Sequence, residues 1–96
     1  MAIVVQQKLT GSTLEQHDQA AAKLGMVGEW PHIAPGVLFH YIVATDDGVE
    51  IIDICTARGG FETFAQEIIV PVTEEVGIAP PTSVEFIDVH NYNTAG

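Results

Sequence analysis

The stretch "IIDICTARGGFETF", residues 51–64, contains the transition that decides the fold. Its first half is rich in residues suited to a protein interior, with the carboxylate of Asp53 among them, as expected for a β-strand. Two glycines then interrupt the chain, and the aromatic residues Phe61 and Phe64 follow at helical spacing. The segment therefore predicts a strand that passes directly into a helix.

Outward from this segment, the chain divides into six elements without a linker. The predicted strands are 2–9, 37–45, 49–56 and 83–92. The first helix begins at "STLEQ" (12–16), where two capping boxes overlap, and its apolar stripe is Leu14, Ala21 and Leu24, with His17 on the same face. The second helix has the stripe Phe61, Phe64, Ala65, Ile68, Ile69 and Val72.

The breaks between these elements fix their order. Residues 25–36 are rich in glycine and proline and predict a long loop. Pro71 is expected to kink the second helix or end its main body, with a final turn running to Gly77. The order β-α-β-β-α-β predicts one α+β domain over residues 1–96. Its fold is ferredoxin-like, with two helices on one face of an antiparallel sheet.

The register of the hairpin between the second and third strands stays open. The sequence "DDG" is a hairpin signal, most simply a two-residue Asp-Gly turn at 47–48. That turn places His40 opposite Cys55 and makes His40 a diagonal neighbour of Asp53. A three-residue loop would bring His40 opposite Ile54 instead.

Composition and charge exclude several classes of function. Hydrophobic residues make up 47% of the chain and charged residues 17%, which predicts a folded domain. Three basic residues face thirteen acidic ones, a net charge of −10, so nucleic acid and anionic membrane surfaces are unfavourable partners. We expect no membrane span and no signal peptide. The single cysteine cannot form an internal disulfide, which predicts a reducing, cytoplasmic location.

Both faces of the predicted sheet are apolar. The side chains assigned to the helix-covered face are Phe39, Tyr41, Val43, Ile52, Ile54, Ile87 and Val89. The opposite face would carry Leu38, Ile42, Ile51, Val84 and Phe86, along with His40, Asp53, Cys55, Asp88 and His90. Such a face is too apolar to leave in water, so the pattern predicts a homodimer packed sheet against sheet. In the first strand, either Val5 and Gln7 or Val4 and Gln6 share this face.

The element order, the chain length and the segment 51–64 resemble the dimeric α/β-barrel superfamily, which includes small cofactor-free monooxygenases. In that family the third strand ends in a Trp-Glu-Ser-type turn, where this chain has Cys55-Thr56-Ala57. An aromatic residue opens the family's second helix, and Phe61 and Phe64 fit that position. The resemblance implies a pocket between the sheet and its helices or within the barrel. It also matches Gln7 to a first-strand amide side chain and puts Cys55 where the family has a pocket-lining tryptophan.

No metal or cofactor is expected. Haem-degrading relatives in this superfamily carry a histidine on the second helix, and residues 61–76 contain none. The four histidines have no compact ligand spacing, so a metal site would need His40, Asp53 and His90 to assemble in space. The segment "TARGG" lacks the lysine and further glycine of a phosphate-binding loop.

His40 and Asp53 are the candidate catalytic residues, with His40 as general acid or base and Asp53 orienting it. The alternative is a hydrogen-bonded pair that only satisfies two buried polar groups. The candidate substrate-binding residues are Gln7, Trp30, Ile42, Cys55, Phe86 and His90. Cys55 is expected to be a small core residue rather than a nucleophile, and Trp30 either a lid or a plug at the edge. His17 is expected to pack at the surface edge, and Asp88 and His90 at the rim of the interface.

Two classes of function fit these observations. The first is a small homodimeric enzyme that acts on an apolar or aromatic organic molecule, by cofactor-free oxygenation, isomerisation or cyclisation. The second is a non-catalytic dimer that binds a hydrophobic ligand or serves as a structural module. The volume of the cavity distinguishes them, because a filled interior leaves no room for a substrate.

Overall fold

The computed structural model describes residues 2–25 and 36–91. Its elements are β1 (Ile3–Thr10), α1 (Leu14–Leu24), β2 (Val37–Thr45), β3 (Gly48–Cys55), α2 (Arg58–Phe64), a π-helical turn (Ala65–Ile69), α3 (Val70–Val76) and β4 (Ser83–Asp88). The described strands form an antiparallel sheet in the order β2-β3-β1-β4. This confirms the predicted α+β, ferredoxin-like fold. Most of the predicted loop at 25–36, with Trp30, lies outside the described residues.

Helix α1 begins at one of the two predicted capping boxes. The amide of Gln16 donates to Oγ1 of Thr13 at 3.2 Å, and the amide of Thr13 donates to Oε1 of Gln16 at 3.0 Å. Two N–H groups that the first turn would leave unpaired are thereby satisfied. The helix ends at Gly25, whose φ of 74° suits glycine.

The second helix continues through Pro71 rather than ending there. Proline lacks an amide hydrogen, and its ring crowds the carbonyl four residues earlier. The turn before it, Ala65–Ile69, widens into a π-helix, and the chain then returns to α-helix until Gly77. The extra residue in that turn rotates the rest of the helix, so Ile68 is 42% exposed although the predicted stripe included it.

The helices cover the face opposite to the one predicted. Val5 and Cys55 pack with Phe61 of α2, and Leu9 and Val49 of the central strands pack with Ala20 of α1 and Ile78, which follows α3. Because side chains alternate along a strand, Asp53 also points towards the helices. The prediction placed Ile52 and Ile54 under the helices, whereas Val49 and Cys55 of the same strand lie there. The central strands decide the matter, because the fully buried residues lie on them.

The remaining face of the sheet carries the residues that were expected under the helices. Phe39, Tyr41, Val43 and Ile87 are each more than 40% exposed in the single chain. The rings of Phe39 and Tyr41 meet edge to face, with their centroids 6.2 Å apart. Ile52 is buried on this face because Tyr41 and Gln6 flank it on the neighbouring strands. We call the set Phe39, Tyr41, Val43, Ile52, Ile54 and Ile87 the open face.

The hairpin has a register that differs from both predicted alternatives. Its turn residues are Asp46 and Asp47, and Thr45 pairs with Gly48. The predicted turn at 47–48 is therefore wrong by one residue, which moves every cross-strand partner by two positions. A bulge near the start of β2, between Val37 and Phe39, adds one further irregularity.

Gly48 belongs to the strand because nothing larger fits there. A Cβ atom at Gly48 would lie 2.1 Å from the carbonyl oxygen of Leu9 and 3.0 Å from the amide nitrogen of Gly11. Both of these are backbone atoms and cannot rotate away. The close approach of the two strands therefore requires glycine, which explains why it stands after the turn rather than in it.

We expect Gly48→Ala to lower the free energy of unfolding by more than about 1 kcal/mol, because the backbone of β1 must move to admit the new methyl group. Chemical denaturation monitored by circular dichroism measures this change. Gly59→Ala is the matched control, since a Cβ at Gly59 meets nothing within 4 Å. Alanine in place of that helical glycine should raise stability by roughly 0.5–1 kcal/mol. Equal effects of the two substitutions would contradict this account.

Candidate functional site

His40 and Asp53 form a hydrogen-bonded pair on the helix-covered face. They lie directly opposite each other on β2 and β3, and Nδ1 of His40 is 2.6 Å from Oδ1 of Asp53. The Asp53 side chain is 7% exposed and that of His40 is 25% exposed. The predicted pairing is therefore present, although the two residues are direct rather than diagonal neighbours and face the helices rather than the open face.

The chemistry of the pair follows from its orientation. A carboxylate can only accept, so Nδ1 of His40 carries the hydrogen and donates it to Asp53. In the neutral imidazole this tautomer leaves Nε2 as the acceptor. A histidine held in this way can take up a proton at Nε2, because the carboxylate stabilises the imidazolium that forms. The geometry therefore suits general acid or base chemistry.

His17 extends this site from the helical layer. It lies on α1, and its Nε2 is buried without a hydrogen-bond partner in the part of the chain that the structure describes. Burial lowers the pKa of His17; the nearby charge of Asp18 opposes this shift, and that of His40 adds to it. From the sequence, His17 was expected to pack at the surface edge. Its position one helical turn before Ala20 and Ala21, which lie towards the sheet, was the signal that it faces inward.

Cys55 lies two residues beyond Asp53 and is 2% exposed. Burial, and then the nearby charge of Asp53, raise the pKa of the Cys55 thiol to about 11. The group is therefore a thiol rather than a thiolate at neutral pH, which agrees with the expected role as a core residue. It also lines a cavity of about 30 Å³ at the junction of β3 and α2.

The other predicted substrate-binding residues are only partly brought together. Gln7 and Ile42 point to the helix-covered face, which resolves the ambiguity in β1 in favour of the set Val5 and Gln7. Phe86 packs edge to face on Phe61 and supports the guanidinium of Arg58, 4.0 Å above its ring. His90 follows the end of β4 and is exposed, so the structure does not bring it to the site.

The two best-formed cavities contain neither His40 nor Asp53 in their walls. The larger, about 230 Å³, lies at the hairpin end of the sheet, and polar side chains of Lys8, Thr10, Asp47, Glu50 and Thr82 line much of it. The smaller is the one beside Cys55. The candidate site is the His40–Asp53 pair rather than either cavity, because a carboxylate that orients a histidine is an arrangement suited to acid–base chemistry.

Within residues 2–25 and 36–91, no cluster of three or more histidine, cysteine, aspartate or glutamate side chains is arranged to hold a metal ion. The search of the same residues finds no helix long and apolar enough to cross a membrane.

The lowered pKa of His17 makes stability depend on pH. Between its folded-state pKa and 6.5, the unfolded chain binds more protons than the native protein, so stability falls as the pH falls through this range. We expect His17→Gln to flatten the dependence of unfolding free energy on pH below 6.5, measured by denaturation at a series of pH values. His90→Gln, an exposed histidine, is the control and should leave the dependence unchanged. A wild-type slope in His17→Gln would contradict the assignment.

Comparisons with known proteins bear on the fold. No protein-family model matches the chain, and no curated protein matches it in sequence. A candidate antibiotic biosynthesis monooxygenase from Bacteroides thetaiotaomicron is similar in structure, with 20% identity and a TM-score of 0.54 over 95% of this chain and 88% of that one. SnoaB from Streptomyces nogalater, a cofactor-independent oxygenase solved as a point mutant, has 15% identity and a TM-score of 0.56 over 95% of this chain and 93% of its own.

Both similarities extend over almost the whole chain, so they include the sheet and its helical layer together. At such low sequence identity, a common architecture does not carry chemistry with it. The chain therefore has the fold of the antibiotic-biosynthesis-monooxygenase-like proteins, and the resemblance to the dimeric α/β-barrel superfamily is confirmed at the level of fold.

Proposed function

We propose that this chain is a single-domain, homodimeric oxygenase that acts on an uncharged aromatic or apolar molecule without a cofactor. The observation that carries the proposal is the hydrogen bond between the partly buried His40 and the buried Asp53 on the helix-covered face. The two structurally similar proteins are described as a cofactor-independent oxygenase and a candidate monooxygenase, which supports the same class of reaction. The net charge of −10 favours an uncharged substrate over an anionic one.

In the proposed reaction His40 acts as the general base. Its Nε2 takes a proton from an acidic C–H or O–H group of the substrate, and Asp53 stabilises the resulting imidazolium. The substrate anion is then the reductant for dioxygen. For a substrate with an activated CH₂ group, such as anthrone, the CH₂ group and dioxygen give a carbonyl group and water. No external electron donor is needed, because the substrate carbon supplies all the electrons.

The open face supports the proposed dimer. Its aromatic and aliphatic side chains lie on β2, β3 and β4, and Val4 of β1 lies between Ile54 and Ile87. A second copy of the chain presents an identical surface, so two-fold packing of sheet against sheet would bury both at once. The proposal also places the protein in the cytoplasm, where Cys55 stays a free thiol.

The cavity volume favours a second candidate function, a non-catalytic dimer. An apolar cavity that holds benzene has a volume of roughly 150 Å³. The cavity beside Cys55, at about 30 Å³, is far smaller. The larger cavity, about 230 Å³, is at the hairpin end and has neither His40 nor Asp53 in its walls, so the oxygenase proposal requires the protein to open near His40 when the organic substrate enters. A protein whose interior never opens would be a structural module.

We expect His40→Ala to abolish catalysed dioxygen uptake with anthrone as the probe, because the base is removed. Asp53→Asn should reduce uptake by roughly 10²–10⁴-fold, the usual contribution of acid–base catalysis, because the amide no longer stabilises the imidazolium. An oxygen electrode measures uptake, and chromatography measures the anthraquinone formed. His90→Ala, an exposed histidine, is the matched control and should behave as wild type.

Thermal denaturation separates this role from a structural one. If the pair only satisfied buried polar groups, both substitutions would lower the melting temperature while uptake and binding stayed at the wild-type level. His40→Ala leaves the Asp53 carboxylate buried without this partner, which costs on the order of 3–5 kcal/mol, so Asp53→Asn gives the cleaner comparison. Wild-type protein that does not accelerate uptake by any substrate in a panel of phenols and anthrones would favour the non-catalytic dimer.

For the dimer, we expect Phe39→Glu to produce monomer or unfolded protein, because an unpaired charge buried in the interface costs on the order of 3–5 kcal/mol. Sedimentation at micromolar concentration should show the wild type at twice the chain mass of 10.3 kDa. Leu14→Glu is the control, since Leu14 is a similarly exposed apolar residue at the start of α1, where a carboxylate is favourable. A stable wild-type monomer would exclude the dimer.

A further inference from the structure

The imidazole of His17 has a polar atom that the described part of the fold leaves without a partner. Its Nε2 atom is buried and makes no hydrogen bond within residues 2–25 and 36–91, although the backbone amide of His17 donates to the carbonyl of Thr13. Buried polar atoms are normally hydrogen-bonded, because an unpaired one has lost its water and gained nothing in return. A leucine would fill the same helical position without this cost. An unpaired Nε2 at this place therefore needs a reason other than stability.

His17 faces the part of the sheet that carries His40. Ala20, one turn after His17 on α1, belongs to the core cluster against which Ile42 of β2 also packs. Ile42 is two residues from His40 and therefore on the same face of β2. The two imidazoles are near enough for the charge of His40 to contribute to the lowered pKa of His17. Both rings therefore border the space between α1 and β2, where the proposed reaction requires the protein to open.

The two histidines are suited to different tasks. Asp53 accepts a hydrogen bond from Nδ1 of His40 and stabilises the protonated ring that a general base becomes. Burial lowers the pKa of His17, so its ring is neutral at pH 7. A neutral imidazole with its hydrogen on Nε2 can donate a hydrogen bond to an oxygen atom and does not compete for the proton that His40 takes. A neutral histidine of lowered pKa is the form that polarises a carbonyl group.

We propose that His17 is a substrate-binding residue whose Nε2–H donates a hydrogen bond to a carbonyl oxygen of the substrate, an inference that rests on the proposed oxygenase function. It narrows the substrate class to molecules in which a carbonyl group is conjugated with the acidic C–H group, as in anthrone. When Nε2 of His40 takes the C–H proton, the electron pair of that bond is delocalised onto the oxygen, and His17 stabilises the negative charge there. A hydrocarbon of the same shape binds less well, because it leaves Nε2 of His17 unpaired.

Binding of anthrone under argon tests this assignment without turnover. The matched probe is dihydroanthracene, which has the same ring skeleton with CH₂ in place of the carbonyl group. By equilibrium dialysis we expect the wild type to bind anthrone roughly 2–10-fold more tightly, the usual net effect of one hydrogen bond. The nitrogen resonance of His17 Nε2 should shift severalfold more with anthrone than with dihydroanthracene. Equal affinities and equal shifts for the two probes would overturn the proposal.

Two substitutions separate hydrogen bonding from packing. His17→Gln keeps an N–H donor near the position of Nε2 and should retain the preference for anthrone, whereas His17→Leu removes the donor and should abolish it. We also expect His17→Leu to reduce catalysed dioxygen uptake by roughly 10²–10³-fold, mainly in kcat, because the lost hydrogen bond is strongest when the oxygen carries negative charge. Gln19→Leu, at an exposed position of the same helix, is the control and should keep both the preference and the uptake.

The melting temperature distinguishes this role from a structural one. Because His17→Leu removes a buried polar atom that lacks a partner, its melting temperature should equal or exceed that of the wild type. A lower melting temperature with wild-type uptake would overturn this inference alone. A preference for anthrone that depends on His17, without catalysed uptake by the wild type, would overturn the proposed function and leave His17 as a carbonyl-binding residue. If His17→Leu does not fold, the resonance shift in the wild type decides.

Discussion

Gly48 lies so close to the backbone of Leu9 that a side chain has no space between the two strands. This contact lies at the end of the β2–β3 hairpin, where Gly48 pairs with Thr10 of β1 and with Thr45 of β2. With Thr45 paired to Gly48, each subsequent pair follows by counting, which brings His40 opposite Asp53. A slip of one residue would turn Asp53 to the open face and separate it from the helices. The candidate site therefore depends on a backbone contact at the other end of the same hairpin.

Burial of Asp53 sets the electrostatic character of the site. A carboxylate that leaves water needs hydrogen-bond donors, and in a chain with thirteen acidic and three basic residues these donors are scarce. Nδ1 of His40 is such a donor, 2.6 Å from Oδ1 of Asp53. The pKa values of two neighbouring groups are also shifted by burial. The thiol of Cys55 is held protonated, and the imidazole of His17 resists protonation. The His40–Asp53 hydrogen bond is therefore flanked by a protonated thiol and by a histidine whose pKa is lowered.

Element order and most boundaries could be predicted because they depend on local chemistry, such as the Thr13–Gln16 capping box and the glycine that ends each helix. The face of the sheet that the helices cover could not be predicted. Both faces are apolar, and the alternation of side chains does not show which of them lies under the helices. His40 and Asp53 were predicted to be neighbours although the predicted turn was wrong. The error moved each cross-strand partner by two positions, and a shift of two leaves the side chains of both residues on the same face of the sheet. The correct turn places Gly48 in the strand, where its close contact with the backbone of Leu9 requires glycine. Leu9 is far from Gly48 in the sequence, so the hairpin segment alone does not indicate this requirement.

The π-helical turn at Ala65–Ile69 changes the direction in which the side chains after it point. One additional residue in a turn rotates everything after it by roughly 100° relative to an uninterrupted α-helix. Val72 and Val76 thereby pack on the core cluster of Leu9, Ala20, Val49 and Ile78, while Ile68 points outward. The second helix therefore consists of two α-helical segments, before and after the π-helical turn, whose apolar faces are rotated relative to each other. Deletion of one residue from Ala65–Ile69 would convert the π-helical turn into an ordinary α-helical turn. We therefore expect the second helix to tolerate a one-residue deletion at this turn while Phe61 and Phe64, which precede it, keep their positions.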